Sequence, residues 1–149
     1  MLINKKIEKD YKIIKKYEAG ISLLGLEVKS IKKGRGDITS SYGVIHKGEI
    51  WILNFNIQPY QQKNTPLNWQ PDRPKKILLR KKEIFEIAGY LHNKRYLLVP
   101  LKVYIVRNLV KVELAIVQAI KKYEKREKIK KKEFEKQRQR ALKQKFYYK

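Results

Sequence analysis

The chain has 149 residues, with 37 Lys plus Arg against 14 Asp plus Glu, a formal charge of +23 at pH 7. One domain is the expectation for this length. A polyanion, either nucleic acid or an anionic membrane surface, is the expected partner for this charge, because it relieves the self-repulsion of a compact basic chain. There are no cysteines, which excludes a disulfide framework and a thiolate metal site. No apolar run reaches the ~18–20 residues of a transmembrane helix. Hydrophobic residues make up 42% of the chain and cluster in periodic runs, unlike a disordered sequence.

The N-terminal stretch MLINKKIEKDYKIIKKY is charged throughout and lacks the apolar core of a signal peptide. Tyr11–Tyr17 and Ile21–Leu24 read as a strand pair, or as one strand bent at Ala19-Gly20. Leu26–Lys33 reads as a short helix closed by Gly34 and Gly36. Ile38–His46 and Glu49–Asn56 flank Lys47-Gly48, a hairpin turn signal. Pro59, Pro66, Pro71 and Pro74 mark a loop. Lys76–Leu79 is a short strand, and Lys81–Asn93 carries Ile84, Ile87, Ala88 and Leu91 at helical spacing. Tyr96–Val106 and Val110–Ile120 form a hairpin around Arg107-Asn108-Leu109. There, period two puts Leu97, Val99, Leu101, Val103 and Ile105 on one face, and Val110, Val112, Leu114 and Ile116 on one face of the partner. From Lys121 onward the chain is basic, free of Gly and Pro and rich in helix formers, yet without a continuous apolar stripe. Residues 121–149 are therefore expected to be a tail, disordered when free and helical when bound to RNA. Residues 1–120 are the expected folded domain. Short antiparallel strands with a helix inserted mid-chain predict a β-rich α+β fold. Its expected form is an OB-type closed antiparallel β-barrel, since closure removes exposed edges.

Catalytic signatures are poor. His46 and His92 fall at a predicted turn and a helix end, and no His, Asp or Glu cluster has metal-ligand spacing. Gly34-Arg35-Gly36 lacks the third glycine and preceding strand of a dinucleotide loop. The expectation is a binding protein, not an enzyme, with no metal and no cofactor. Tyr11, Tyr17, Tyr42, Trp51, Phe55, Tyr60, Trp69 and Tyr104 stand within or beside Lys-containing segments. Such rings either stack on bases or pack a core. Trp51, inside the apolar Ile50–Leu53, reads as core, and Trp69 stays open between the two.

Particular strings are more specific than periodicity. Asn4-Lys5-Lys6, Tyr17-Glu18-Ala19-Gly20-Ile21 and Gly25-Leu26-Glu27-Val28-Lys29-Ser30 occur in order. Pro71-Asp72-Arg73-Pro74-Lys75-Lys76-Ile77-Leu78-Leu79, Leu98-Val99-Pro100-Leu101-Lys102, Val110-Lys111-Val112-Glu113-Leu114 and Lys121-Lys122-Tyr123-Glu124-Lys125-Arg126 follow. Together they resemble the SsrA-binding protein family, small protein B, from about Asn4 to Arg140. The resemblance implies an OB-type barrel with about three helices and a basic tail, in a cytoplasmic, monomeric RNA-binding protein of trans-translation. It implies binding to the tRNA-like domain of transfer-messenger RNA and delivery to stalled ribosomes, where the tail lies in the empty message channel. By the same resemblance Glu18, Leu78 and Lys111 form the face for the tRNA-like domain. Asn4 joins them, as does Arg80, which stands where many relatives carry Asn or His. Lys29 and Lys76 are expected phosphate partners. In the tail, Lys121, Tyr123, Glu124, Lys125 and Arg126 match the residues that probe the decoding centre, Tyr123 by stacking. Ala115-Ile116-Val117-Gln118-Ala119-Ile120-Lys121 replaces a stretch that usually carries two glycines and more basic residues, so a stiffer junction is expected. The alternative is a general basic ribosome-associated protein without tmRNA specificity.

Overall fold

The computed structural model describes residues 1–61, 63, 65–120 and 130–140. It divides into two units, Met1–Ala119 and Ile120–Lys149. The first is a β-rich α+β unit. Its elements are β1 (Leu2–Ile3), α1 (Lys5–Asp10), β2 (Tyr11–Ile21), α2 (Gly25–Lys32), β3 (Gly36–Asp37), β4 (Tyr42–His46), β5 (Glu49–Leu53), β6 (Asn56–Ile57), β7 (Lys75–Leu78), α3 (Lys81–Leu91), β8 (Tyr96–Val106) and β9 (Leu109–Ala119). In the second unit residues 130–140 are helical (α4).

Seven strands form one antiparallel sheet in the order β1-β8-β4-β5-β7-β2-β9, and β9 also pairs with β8. The pairings are uneven. The β2–β9 and β8–β9 ladders each run nearly the length of their strands. By contrast, β2 meets β7 only through Gly20↔Leu78 and Ile21↔Ile77, and β4 meets β8 only at Gly43↔Leu98. A Cβ on Gly43 would lie 2.5 Å from Leu98 Cδ2, so this crossing needs a residue without a side chain.

Local chemistry sets the hairpins. Lys47 and Gly48 have φ of 52° and 74°, and Arg107 and Asn108 have φ of 48° and 65°. Both are two-residue turns with two positive φ values, the type whose twist suits a hairpin. The second turn is thus shorter than expected, since Leu109 already pairs with Val106. Gly34, at φ 73°, closes α2 as expected. Gly36 is instead part of β3, where a Cβ would meet Leu2 Cδ1 at 2.7 Å. Ala19-Gly20 does not interrupt its strand, and β2 runs unbroken to Ile21. The first turn of the chain forms α1, which no apolar period announced.

The expected single apolar face of β8 is corrected. Pro100 pairs with Leu114 and Lys102 with Glu113, leaving Leu101 as an extra residue in a bulge. Leu98 and Val103 therefore enter the main core with Ile50, Ile52, Phe55, Ile77, Ile87, Val112, Leu114 and Ile116. Val99 and Leu101 face the other way and form a second cluster with Ile7 of α1, Ala115 and Val117. Leu97 and Ile105 are exposed. The residues standing where glycines were expected, Ala115 to Ala119, belong to this packed end of β9, paired to Tyr11 and Tyr96–Leu97 through its last residues.

Two buried charged groups fasten the proline loop. The Glu27 carboxylate is 1% exposed, accepts the Leu24 N–H at 2.7 Å and pairs with Arg73 at 2.5 Å. The Lys75 ammonium is fully buried and donates to the carbonyls of Phe55 and Pro71. Burial pushes its pKa down to about 8.

Candidate nucleic-acid interface

Strand alternation presents the candidate residues. Tyr17 and Ala19 point into the core, so Glu18 between them points out. On β7, Lys75 and Ile77 are buried, which turns Lys76 and Leu78 outward. On β9, Val110 and Val112 are buried and Lys111 faces out. The register then makes a row across the outer surface. Tyr104 pairs with Lys111, Lys111 with Gly20, and Gly20 with Leu78. Gly20 keeps the middle of that row low. A Cβ there would touch the Leu78 side chain at 3.4 Å.

Glu18, Lys76, Leu78, Arg80 and Lys111 converge on one open cleft of about 730 Å³. Lys47, Glu49, Lys81 and Glu83 share its walls. Lys76 pairs with Glu49 at 3.0 Å, and both side chains are well solvated, so the pair is weak and exchangeable. Burial, and then a hydrogen bond to Glu18, push the Tyr104 hydroxyl above its ordinary pKa. At neutral pH the hydroxyl keeps its proton beside the Glu18 carboxylate. The cleft thus offers carboxylates that accept from base amines and ribose hydroxyls, cations for phosphates, and the half-exposed Leu78 as an apolar contact. Glu86 of α3 accepts from the Tyr17 hydroxyl at 2.8 Å and pairs with Lys15, fixing the helix against β2. The Lys15 and Tyr17 hydrogen bonds hold the Glu86 carboxyl below the usual carboxylate range.

Two expected members of the face lie elsewhere. Asn4 is 2% exposed, and its amide donates to the carbonyls of Ile38 at 3.1 Å and Pro100 at 3.3 Å. Its place is inside the fold rather than in the cleft, because β1 lies against β8 and carries it inward. Lys29 is exposed but lines a different cleft, with Trp69 and Arg73, beside α2. Trp51 is also corrected. Ile50 and Ile52 take the core positions, which leaves Trp51 half-buried on the opposite face, paired with Lys76. Trp69 packs against the main core and donates its ring N–H to the Ile57 carbonyl at 3.3 Å. Lys121, Tyr123, Glu124, Lys125 and Arg126 lie outside the described residues. Among the described residues, no three His, Cys, Asp or Glu side chains gather as metal ligands. Tyr104, one of the rings the sequence sets beside lysines, pairs with Lys111, as counting outward from the two-residue turn requires.

A family model described as SmpB protein matches residues 1–144. The SsrA-binding protein of Carboxydothermus hydrogenoformans is 42% identical over 143 residues, covering 96% of this chain and 95% of that protein. That of Geobacillus thermodenitrificans is 43% identical over 141 residues, covering 95% and 90%. A solved chain described as "tmRNA-SmpB: a journey to the center of the bacterial ribosome" superposes with a TM-score of 0.69 at 36% identity, over 86% of this chain and 93% of that one.

Proposed function

This chain belongs to the SmpB family, and from that premise we propose that it binds the tRNA-like domain of transfer-messenger RNA and delivers it to stalled ribosomes in trans-translation. One observation carries the reading. Glu18, Lys76, Leu78, Arg80 and Lys111, which come from three separate stretches of sequence, meet in a single cleft. Tyr104, paired across the hairpin with Lys111, stands beside them. Residues 1–120 are the RNA-binding domain, read as an OB-type closed barrel. The ring of pairings from β8 through β4, β5, β7, β2 and β9 back to β8 supports that reading. Residues 121–149 are the tail, which occupies the message channel, with Tyr123 stacking at the decoding site and Lys121, Glu124, Lys125 and Arg126 beside it. The protein acts in the cytoplasm as a monomer by binding and catalyses no reaction.

A competition titration at near-physiological salt tests this. Labelled tRNA-like domain is displaced by unlabelled tRNA-like domain, an ordinary tRNA or a duplex of equal length. The expected preference is tenfold or more, about 1.4 kcal/mol. Equal affinity for all three would leave a basic protein held by charge alone.

A further inference from the structure

Two residues on the outer side of α3 are unexplained by folding. Phe85 is 82% exposed, although Ile84, Ile87 and Leu91 on the same helix pack against or into the main core. Gly89 follows one turn later, at i+4, on the same side. Glycine weakens a helix interior, and nothing in the structure asks for it here. Its backbone is not in the positive-φ region, and a Cβ would meet no atom within 4 Å. An exposed ring followed by a residue without a side chain leaves one edge of that ring uncovered. Cations bracket it, with the exposed Lys81 and Lys82 one turn before the ring and the exposed Lys94 and Arg95 just beyond the helix. Glu86 does not oppose them, because it is engaged with Lys15 and Tyr17.

We propose that Phe85 and Gly89 form a stacking platform for an unpaired base of the tRNA-like domain, extending the cleft interface along the outer face of α3. Charge selects the occupant. An apolar patch flanked by cations at both ends suits a base carried between phosphates. Continuity selects the same RNA, since Lys81, Glu83 and Ile84 of this helix line the cleft that holds Glu18 and Lys111. The inference rests on the tRNA-like-domain reading for its ligand and on α3 alone for its geometry.

The test uses the full chain and isolated tRNA-like domain, with Phe85→Ala, Phe85→Trp, Gly89→Leu and Lys111→Ala compared at one salt concentration. Phe85→Ala is expected to bind about tenfold more weakly, and Phe85→Trp to bind at least as well as the parent. Gly89→Leu should raise the melting temperature while weakening binding several-fold, because the leucine covers the ring as it strengthens the helix. A merely structural role would not produce that opposition. Binding within twofold of the parent for both Phe85→Ala and Gly89→Leu, with Lys111→Ala impaired, overturns the platform and leaves the cleft reading standing. Unchanged binding by Lys111→Ala with Phe85→Ala impaired is the reverse, support for the platform and failure of the cleft. An equal loss by Phe85→Ala on a fully paired duplex overturns base stacking.

Discussion

Glu18 shares one cleft with Lys111 and Leu78, and its contribution to the proposed recognition is separable from theirs. Glu18→Ala and Lys111→Ala are each expected to weaken binding to the tRNA-like domain by about tenfold, or 1–2 kcal/mol, the scale of a charge-assisted hydrogen bond. Only Lys111→Ala should also lower the slope of log affinity against log salt by about one, since it alone of the two removes a positive charge. Tyr104→Phe keeps the ring and removes the hydroxyl beside Glu18, so a loss of a few-fold is expected in the same titration. Asn4→Ala is the contrasting case. It leaves the Ile38 and Pro100 carbonyls without that donor and should destabilise the domain by about 1–3 kcal/mol, read from the urea midpoint, while the folded fraction binds RNA normally. The outward placement of Glu18, Leu78 and Lys111 was legible because strand alternation sets it. Asn4 was not, because its burial depends on partners 34 and 96 residues away in the chain.

At the scale of elements, the hairpins were legible, and so was the core face of β9 with Val110, Val112, Leu114 and Ile116, but the faces of β8 were not. Turn residues announced the loops after β4 and β8, but the bulge at Leu101 shifts the side of every residue before it. No period-two reading of β8 could place Leu98 and Val103 together. α1 is short and charged, so its one core residue, Ile7, makes no stripe. The segment from Arg73 to Lys75 was legible only as a signature, whereas its chemistry is burial. Lys75 yields a pH prediction. Its ammonium titrates near 8 in the fold and at its ordinary 10.5 when exposed. Between those values the unfolded chain binds more protons, so stability from this group rises with pH across that window and is flat below it. Against Lys75→Met, the native domain should gain on the order of 2 kcal/mol between pH 8 and pH 10. Parallel urea midpoints for the two proteins across that range would refute the assignment.

For the whole molecule, charge and recognition separate. The formal +23 makes binding steeply salt-dependent for any RNA. A preference for the tRNA-like domain supplied by the cleft should persist as salt rises. Changing Tyr123, Lys125 and Arg126 together to Ala should leave affinity for the isolated tRNA-like domain nearly intact and abolish peptide tagging in a reconstituted translation assay. Loss of RNA affinity in proportion to the removed charge would contradict that division of labour. The β-rich class was legible from the strands. The order of the sheet was not, because β1–β8, β4–β8 and β2–β7 join segments far apart in sequence.

The thin pairings described above give the sheet two seams. One is the single pair between β4 and β8, and the other is the two pairs between β2 and β7. They part it into a slab of β8, β9 and β2 and a slab of β4, β5 and β7, and the few backbone pairs across the seams predict local opening there before either slab comes apart. The RNA cleft straddles the second seam, with Glu18 and Lys111 on one slab and Lys76 and Leu78 on the other. A bound RNA therefore acts as a staple across the joint. Hydrogen exchange should show it as slowed exchange of the amides of Gly20, Ser22 and Leu78, with the centre of the β2–β9 ladder unchanged.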